Sequence, residues 1–162
     1  MAPTRATAAG VLFVFLAAVA GAAQAPPADN ADAFAAAVRK GDVAAVKALL
    51  DQGVDVNTKF RYNATALSFA ADRGHVEVVK LLLDRGADIN AEDTFYHATP
   101  LTWAIQPATG RKPEHLEVVR LLLARGGIPA AQLSNALAAA TRTKQDDVVT
   151  LLKAAGATPK DK

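Results

Sequence analysis

The chain has 162 residues, a formal net charge of +2 and no cysteine. That length suits one ordinary domain, and the lack of thiols excludes disulfides, thiolate metal sites and lipid attachment at a cysteine. Its basic residues are scattered among acids, whereas a nucleic-acid partner calls for a dense single-sign face interleaved with aromatics, so none is expected.

Residues 1–23 are expected to be a signal peptide: Arg5 supplies a positive start, Val11 to Val19 an apolar centre, and Ala20 onwards a run of small residues. Pro26 directly after Ala25 disfavours a cut there, which points to cleavage after Ala22 or Ala23. The alternative is an uncleaved anchor. Gly10 to Ala23 offers 14 apolar or small residues, and a membrane span needs about 20. Export without cysteine suits a bacterial periplasm, with secretion as the alternative and no membrane association after cleavage. Residues 24–31, with Pro26 and Pro27, read as a linker.

From residue 32 onwards the chain repeats itself. VAAVKALLDQGVDVN (Val43 to Asn57), VEVVKLLLDRGADIN (Val76 to Asn90), LEVVRLLLARGG (Leu116 to Gly127) and VVTLLKAAGATP (Val148 to Pro159) are variants of one segment. Gly53 and Gly86 lie 33 positions apart, as do Gly41 and Gly74. A fixed period of this size signals stacked supersecondary units. Within each copy, apolar residues recur every three or four positions, as in Val78, Leu81 and Leu82, and predict a helix with one buried stripe. Gly53, Gly86, Gly126 and Gly156 follow these helices, where a positive φ ends the turn. Asp42 and His75 precede two of them, as helix-starting residues do. Leu67, Phe69 and Ala70, with their counterparts Leu101, Trp103 and Ala104, predict a first helix packing on the second.

The pattern Thr65-Ala-Leu-Ser-Phe-Ala-Ala, Gly74-His75-Val-Glu-Val-Val-Lys-Leu-Leu-Leu, Gly86-Ala-Asp-Ile-Asn90 resembles the ankyrin repeat, TPLHxAA followed by GHxEVVKLLLxxGADVN. Thr99-Pro100-Leu101-Thr102-Trp103-Ala104 and His115-Leu-Glu-Val-Val-Arg-Leu-Leu-Leu123 carry it again. The resemblance covers about 32–159 and implies an all-α solenoid of four helix-turn-helix units (about 32–59, 60–93, 94–129 and 130–159) joined by short hairpin fingers. Departures from the pattern are local. Ser68 and Thr102 replace its histidine and keep a hydroxyl for local bonding, while Asn63 replaces its turn glycine and tolerates the left-handed region. Terminal units lack the TPLH segment and read as caps; Lys153 stands where repeat two has Leu83.

Candidate chemistry is thin. His75 and His115 occupy helix starts and are expected to be structural, and His97 has no second ligand nearby in sequence, so no metal and no cofactor is expected. Ser68 with His75 and Asp72 would need broken helix geometry to form a triad. Glu92 and Asp93 read as solvated or turn-stabilising. Trp103 aligns with Phe69 at a packing position and is expected in the core. No catalytic residue is assigned; a hydrolase or metal-dependent enzyme on the solenoid is the competing class.

The resemblance places partner binding on the concave face formed by the fingers and first helices. By motif position the candidates are Phe60, Arg61 and Tyr62 of one finger, Phe95, Tyr96 and His97 of the next, and Asp72, Arg73 and Gln106 from the helices. Exposed rings with an arginine have the composition of binding hot spots. The alternative is that Phe60 and Phe95 fold back onto their own hairpins or pack between neighbouring fingers. Thr65 to Val79 spans 14 steps and Thr99 to Val119 spans 20, so six residues are inserted around Pro107 to Pro113. That loop is expected at the edge opposite the finger tips, where Arg111 and Lys112 make a local positive spot. The reading that follows is a monomeric, exported ankyrin-repeat protein that binds another protein, with an immunity or inhibitor role against an exported enzyme as a variant.

Overall fold

The computed structural model describes residues 28–108 and 110–159. The expected signal peptide and the start of the linker lie outside them. Helices α1 (Ala28–Lys40) and α2 (Val43–Asp51) form the first pair, α3 (Ala66–Arg73) and α4 (Val76–Asp84) the second. The third pair is α5 (Pro100–Ile105) and α6 (Pro113–Arg125), the fourth α7 (Ala130–Arg142) and α8 (Asp146–Ala154). Among the described residues there is no strand. Because α1 opens at Ala28, the described part of the expected linker is helix, and the first unit starts earlier than its motif.

Each first helix packs on the second helix of its own unit and on the first helix of the next. Second helices likewise line up α2, α4, α6 and α8. The result is two layers of helices with the core between them. The apolar stripes supply that core: Val46 in α2, Val78, Val79 and Leu82 in α4, Val118, Val119 and Leu122 in α6, Val148 and Leu152 in α8, all fully or almost fully buried. Each such side chain contributes about 1.5–3 kcal/mol by leaving water. At the end of the stack Lys153 is exposed where its counterpart Leu83 is buried, as a cap requires.

Local chemistry fixes the helix ends. The Thr65 hydroxyl oxygen accepts from the Ser68 amide at 3.2 Å and contacts the Ser68 hydroxyl at 3.1 Å; Thr99 and Thr102 repeat this at 3.3 and 3.2 Å. The hydroxyls expected to bond locally do so. Asp42 accepts from the Ala45 amide at 3.0 Å. Gly53, Gly86, Gly126 and Gly156 all adopt positive φ, and so does Asn63.

A ladder of side chains joins unit to unit. His75 Nε2 meets the Arg39 carbonyl at 3.1 Å, His115 Nε2 meets the Asp72 carbonyl at 3.0 Å, and Gln145 Nε2 donates to the Ile105 carbonyl at 2.9 Å. His115 Nδ1 accepts from the Lys112 amide at 2.9 Å, so its proton sits on Nε2 and points at Asp72. The histidines expected to be structural are so, through contacts that cross between units. Gly41 is required by this packing: its φ is +75°, and a Cβ there would stand 2.7 Å from the His75 ring.

Candidate functional site

Two fingers project from the stack, and their tips are built differently. In the first, the Phe60 amide donates to the Ala64 carbonyl at 2.9 Å and closes a tight turn over Arg61–Asn63. Tyr62 takes φ 61° there, a left-handed conformation that costs a side-chain-bearing residue about 1–2 kcal/mol. Its carbonyl accepts from the Thr94 amide of the second finger at 2.8 Å, so the strained residue also ties the fingers together. Strain of this kind concentrates at functional sites.

The second finger is organised by Asp93. Its amide donates to the Ala98 carbonyl at 3.1 Å. Its Oδ1 accepts from the amides of Phe95 at 2.9 Å and Tyr96 at 2.6 Å, and its Oδ2 accepts from Trp103 Nε1 at 3.0 Å. Asp93 is only 4% exposed, so the expectation of a turn-stabilising role holds and that of a solvated one does not. With the backbone wrapped on this carboxylate, the rings of the tip face outward. Tyr62, Phe95 and Tyr96 are 49%, 59% and 67% exposed.

The rings form two series. Tyr62 and Phe95 lie 5.2 Å apart, Phe95 and Tyr96 4.5 Å, and Tyr96 and Trp103 5.6 Å, the last two pairs edge to face. Phe34 and Phe60 lie 6.2 Å apart, and Phe60 stacks on Phe69 at 5.5 Å. A cleft of about 390 Å³ has members of both series in its wall: Phe69 from α3, and Tyr62, Phe95, Tyr96 and Trp103. Ala108, from the start of the insertion, also lines it.

Charge is distributed unevenly around this cleft. Arg39 lies over the Phe69 ring at 4.2 Å and Arg61 over the Tyr62 ring at 4.9 Å, both on the cleft wall. The acids there are already engaged. Asp93 holds three donors. Asp72 accepts from the Ala108 amide at 2.6 Å and sits 3.5 Å from Arg73 Nε.

Of the residues singled out from the sequence, Arg61, Tyr62, Asp72, Phe95 and Tyr96 come together in this cleft. Phe60 does not stand out at the tip. It is half-buried, because the rings of Phe34 and Phe69 offer it apolar cover. Arg73 leans to Asp72 outside the cleft wall, and His97, exposed at φ 52°, sits on the shoulder of its finger. Gln106 also misses the cleft: α5 ends at Ile105, and Gln106 has left helical geometry (φ −124°, ψ 67°), so its side chain drops out of the row.

Trp103 is not a pure core residue. It packs against the core, yet is half-buried on the cleft wall because Asp93 accepts its N–H. The insertion does not stay at the far edge either, since Ala108 reaches the cleft. Arg111 is no free positive spot: it pairs with Asp147 of α8 at 2.8 Å, while Lys112 is exposed just before α6. Pro113 opens α6 as expected. Sequence reasoning missed Arg39. It stands in α1 where Asp72 stands in α3, two residues before the turn glycine, and carrying that position back one unit would have found it.

Among the described residues no group of histidines and acids is placed to hold a metal ion, and no helix is long and apolar enough to cross a membrane. A family model described as ankyrin repeats (3 copies) matches residues 6–93, more than half of the chain. No curated protein matches it. The helix pairs α5/α6 and α7/α8 continue the same architecture beyond the matched stretch.

Proposed function

The chain belongs to the ankyrin-repeat family, whose repeats generally mediate protein–protein interaction, and on that premise we propose that it is a binding module without catalysis of its own, docking a partner protein on the two aromatic fingers and the cleft between them. One observation carries this reading: Tyr62, Phe95 and Tyr96 are exposed and in mutual contact on turns held by hydrogen bonds. Large rings left in water cost the free protein stability and reward a partner that covers them. The fingers are already ordered, so docking gives up little conformational entropy.

We further propose that residues 1–23 direct export and that the partner is met in the periplasm. Sequencing the N-terminus of the protein from a periplasmic fraction tests this; a chain that begins at Met1 overturns it.

The docking reading is tested by Tyr62→Ala with Tyr96→Ala. Removing two rings of hot-spot type lowers partner affinity about 100-fold or more, measured on a partner isolated with the unaltered protein. The helical circular dichroism stays as it was. Undiminished affinity in the double variant overturns the finger model.

A further inference from the structure

We infer that the cleft takes a partner segment in which an aromatic side chain lies next to a carboxylate. The inference rests on the docking reading above and adds the chemistry of what docks.

The ring-lined wall of the cleft suits a ring and little else. Phe69 and Trp103, both half-buried, present apolar surface to it, with Tyr96 edge to face against Trp103. The polar groups beside Phe69 and Trp103 are spent internally: both Asp93 oxygens accept bonds, the Trp103 N–H is given to Asp93, and the Ser68 hydroxyl is shared with Thr65, while Tyr96 is 67% exposed and keeps its hydroxyl in water. A polar group set against Phe69 and Trp103 would lose water and find these neighbours' polar groups already bonded. An aromatic side chain gains both burial and edge-to-face contact.

The rim suits an anion. Arg39 and Arg61 lie over aromatic rings, and among the described residues neither guanidinium pairs with a carboxylate. A guanidinium stacked on a ring keeps its N–H edge free to fork a carboxylate. The two acids on the same wall are engaged: Asp72 is held by the Ala108 amide and faced by Arg73, and Asp93 holds three N–H donors. A cationic occupant would enjoy the ring faces and yet meet two guanidiniums that no carboxylate among the described residues contacts, while the Asp93 carboxylate is already turned to its own donors, so an aromatic cage for an ammonium group is disfavoured.

The only tryptophan, Trp103, lines the cleft and reports occupancy directly. The probes are blocked pentapeptides with one phenylalanine flanked by two glutamates, the same peptide with lysines for glutamates, and tetramethylammonium chloride. Expected is a saturable change of Trp103 emission with the glutamate peptide, with affinity about tenfold or more above that of the lysine peptide, as charge-assisted hydrogen bonds give. Arg39→Gln with Arg61→Gln removes that preference while the circular dichroism is unchanged. Equal affinity for the two peptides, no saturable signal from the glutamate peptide, or displacement of it by tetramethylammonium overturns the inference. The two readings fail separately. A natural partner whose binding needs Tyr62 and Tyr96 and ignores both arginines leaves finger docking intact and overturns the acidic occupant; one that ignores the tyrosines overturns both.

Discussion

Phe60 and Asp93 occupy the same place in successive fingers, each three residues after the asparagine that closes its unit. Each reaches the same position of the following first helix. Phe60 stacks on Phe69 in one finger, and Asp93 accepts the indole N–H of Trp103 in the other. The contact is conserved in geometry and opposite in chemistry. In the first finger the position is filled by a ring that covers itself; in the second it is filled by an acceptor that gathers the backbone and turns its neighbours outward. The lesson is that the residue at this place answers to its partner on the helix, a ring to a ring and an acceptor to an indole N–H, while two places further on both fingers expose a ring, Tyr62 in one and Phe95 in the other.

The most damaging way to break this pairing is Phe60→Asp. A carboxylate set against Phe34 and Phe69 has no donor from the helix, and the variant should lose about 3 kcal/mol or more in denaturant unfolding. Adding Phe69→Trp restores the second finger's donor. The double variant should recover about 1 kcal/mol relative to the sum of the single changes. Strict additivity of the two would show that the fingers do not share one pairing rule.

Next in size is Asp93→Ala. It strands the Trp103 N–H and the amides of Phe95 and Tyr96, at a cost of about 2 kcal/mol, less where water reaches the finger. Trp103 emission should shift toward that of a more hydrated indole while the first finger is untouched. Stability equal to the unaltered protein would mean that the second finger does not depend on its carboxylate.

The smallest effect belongs to a link outside the fingers and sets the baseline for both. Hydrogen bonding from Arg111, opposed in part by desolvation and helped by the Val148 amide, holds the Asp147 carboxyl below its ordinary value. A lowered folded value means that this contribution is present above the unfolded carboxylate range, about pH 4, and fades as pH falls through the folded value. Both side chains are about a third or more exposed, so solvent screening keeps the contribution below about 0.5 kcal/mol. Arg111→Ala should lower stability near pH 7 by that amount and flatten the acid limb of the stability profile correspondingly. An acid limb identical in the variant would remove the pair from the account.

The stacked units were legible because they rest on spacing: apolar stripes at three and four, glycines 33 apart, and threonines two positions before leucine at the starts of α3 and α5. The direction of the rings was less so. Both fingers contain phenylalanine, tyrosine and a polar neighbour, and composition alone treats Phe60 and Phe95 alike. What separates them is their place in the finger: Phe60, three residues after Asn57, lies on Phe69, whereas Phe95, five after Asn90, stands where the first finger has the exposed Tyr62. Arg39 escaped notice because the first unit lacks the family's opening motif, although its place before Gly41 matches that of Asp72 before Gly74. The start of the insertion is tied by a backbone contact, the Ala108 amide on Asp72, which no side-chain pattern reveals.

That amide is one of two posts on the same residue. Asp72 holds Ala108 with its carboxylate and His115 with its carbonyl, so the segment leaves and re-enters the stack at a common anchor. Chain length between the posts is thereby uncoupled from the pitch of the solenoid. The stretch is a graft point beside the cleft, where a tag or a longer recognition arm can be spliced in so long as Arg111 keeps its contact with Asp147 of α8.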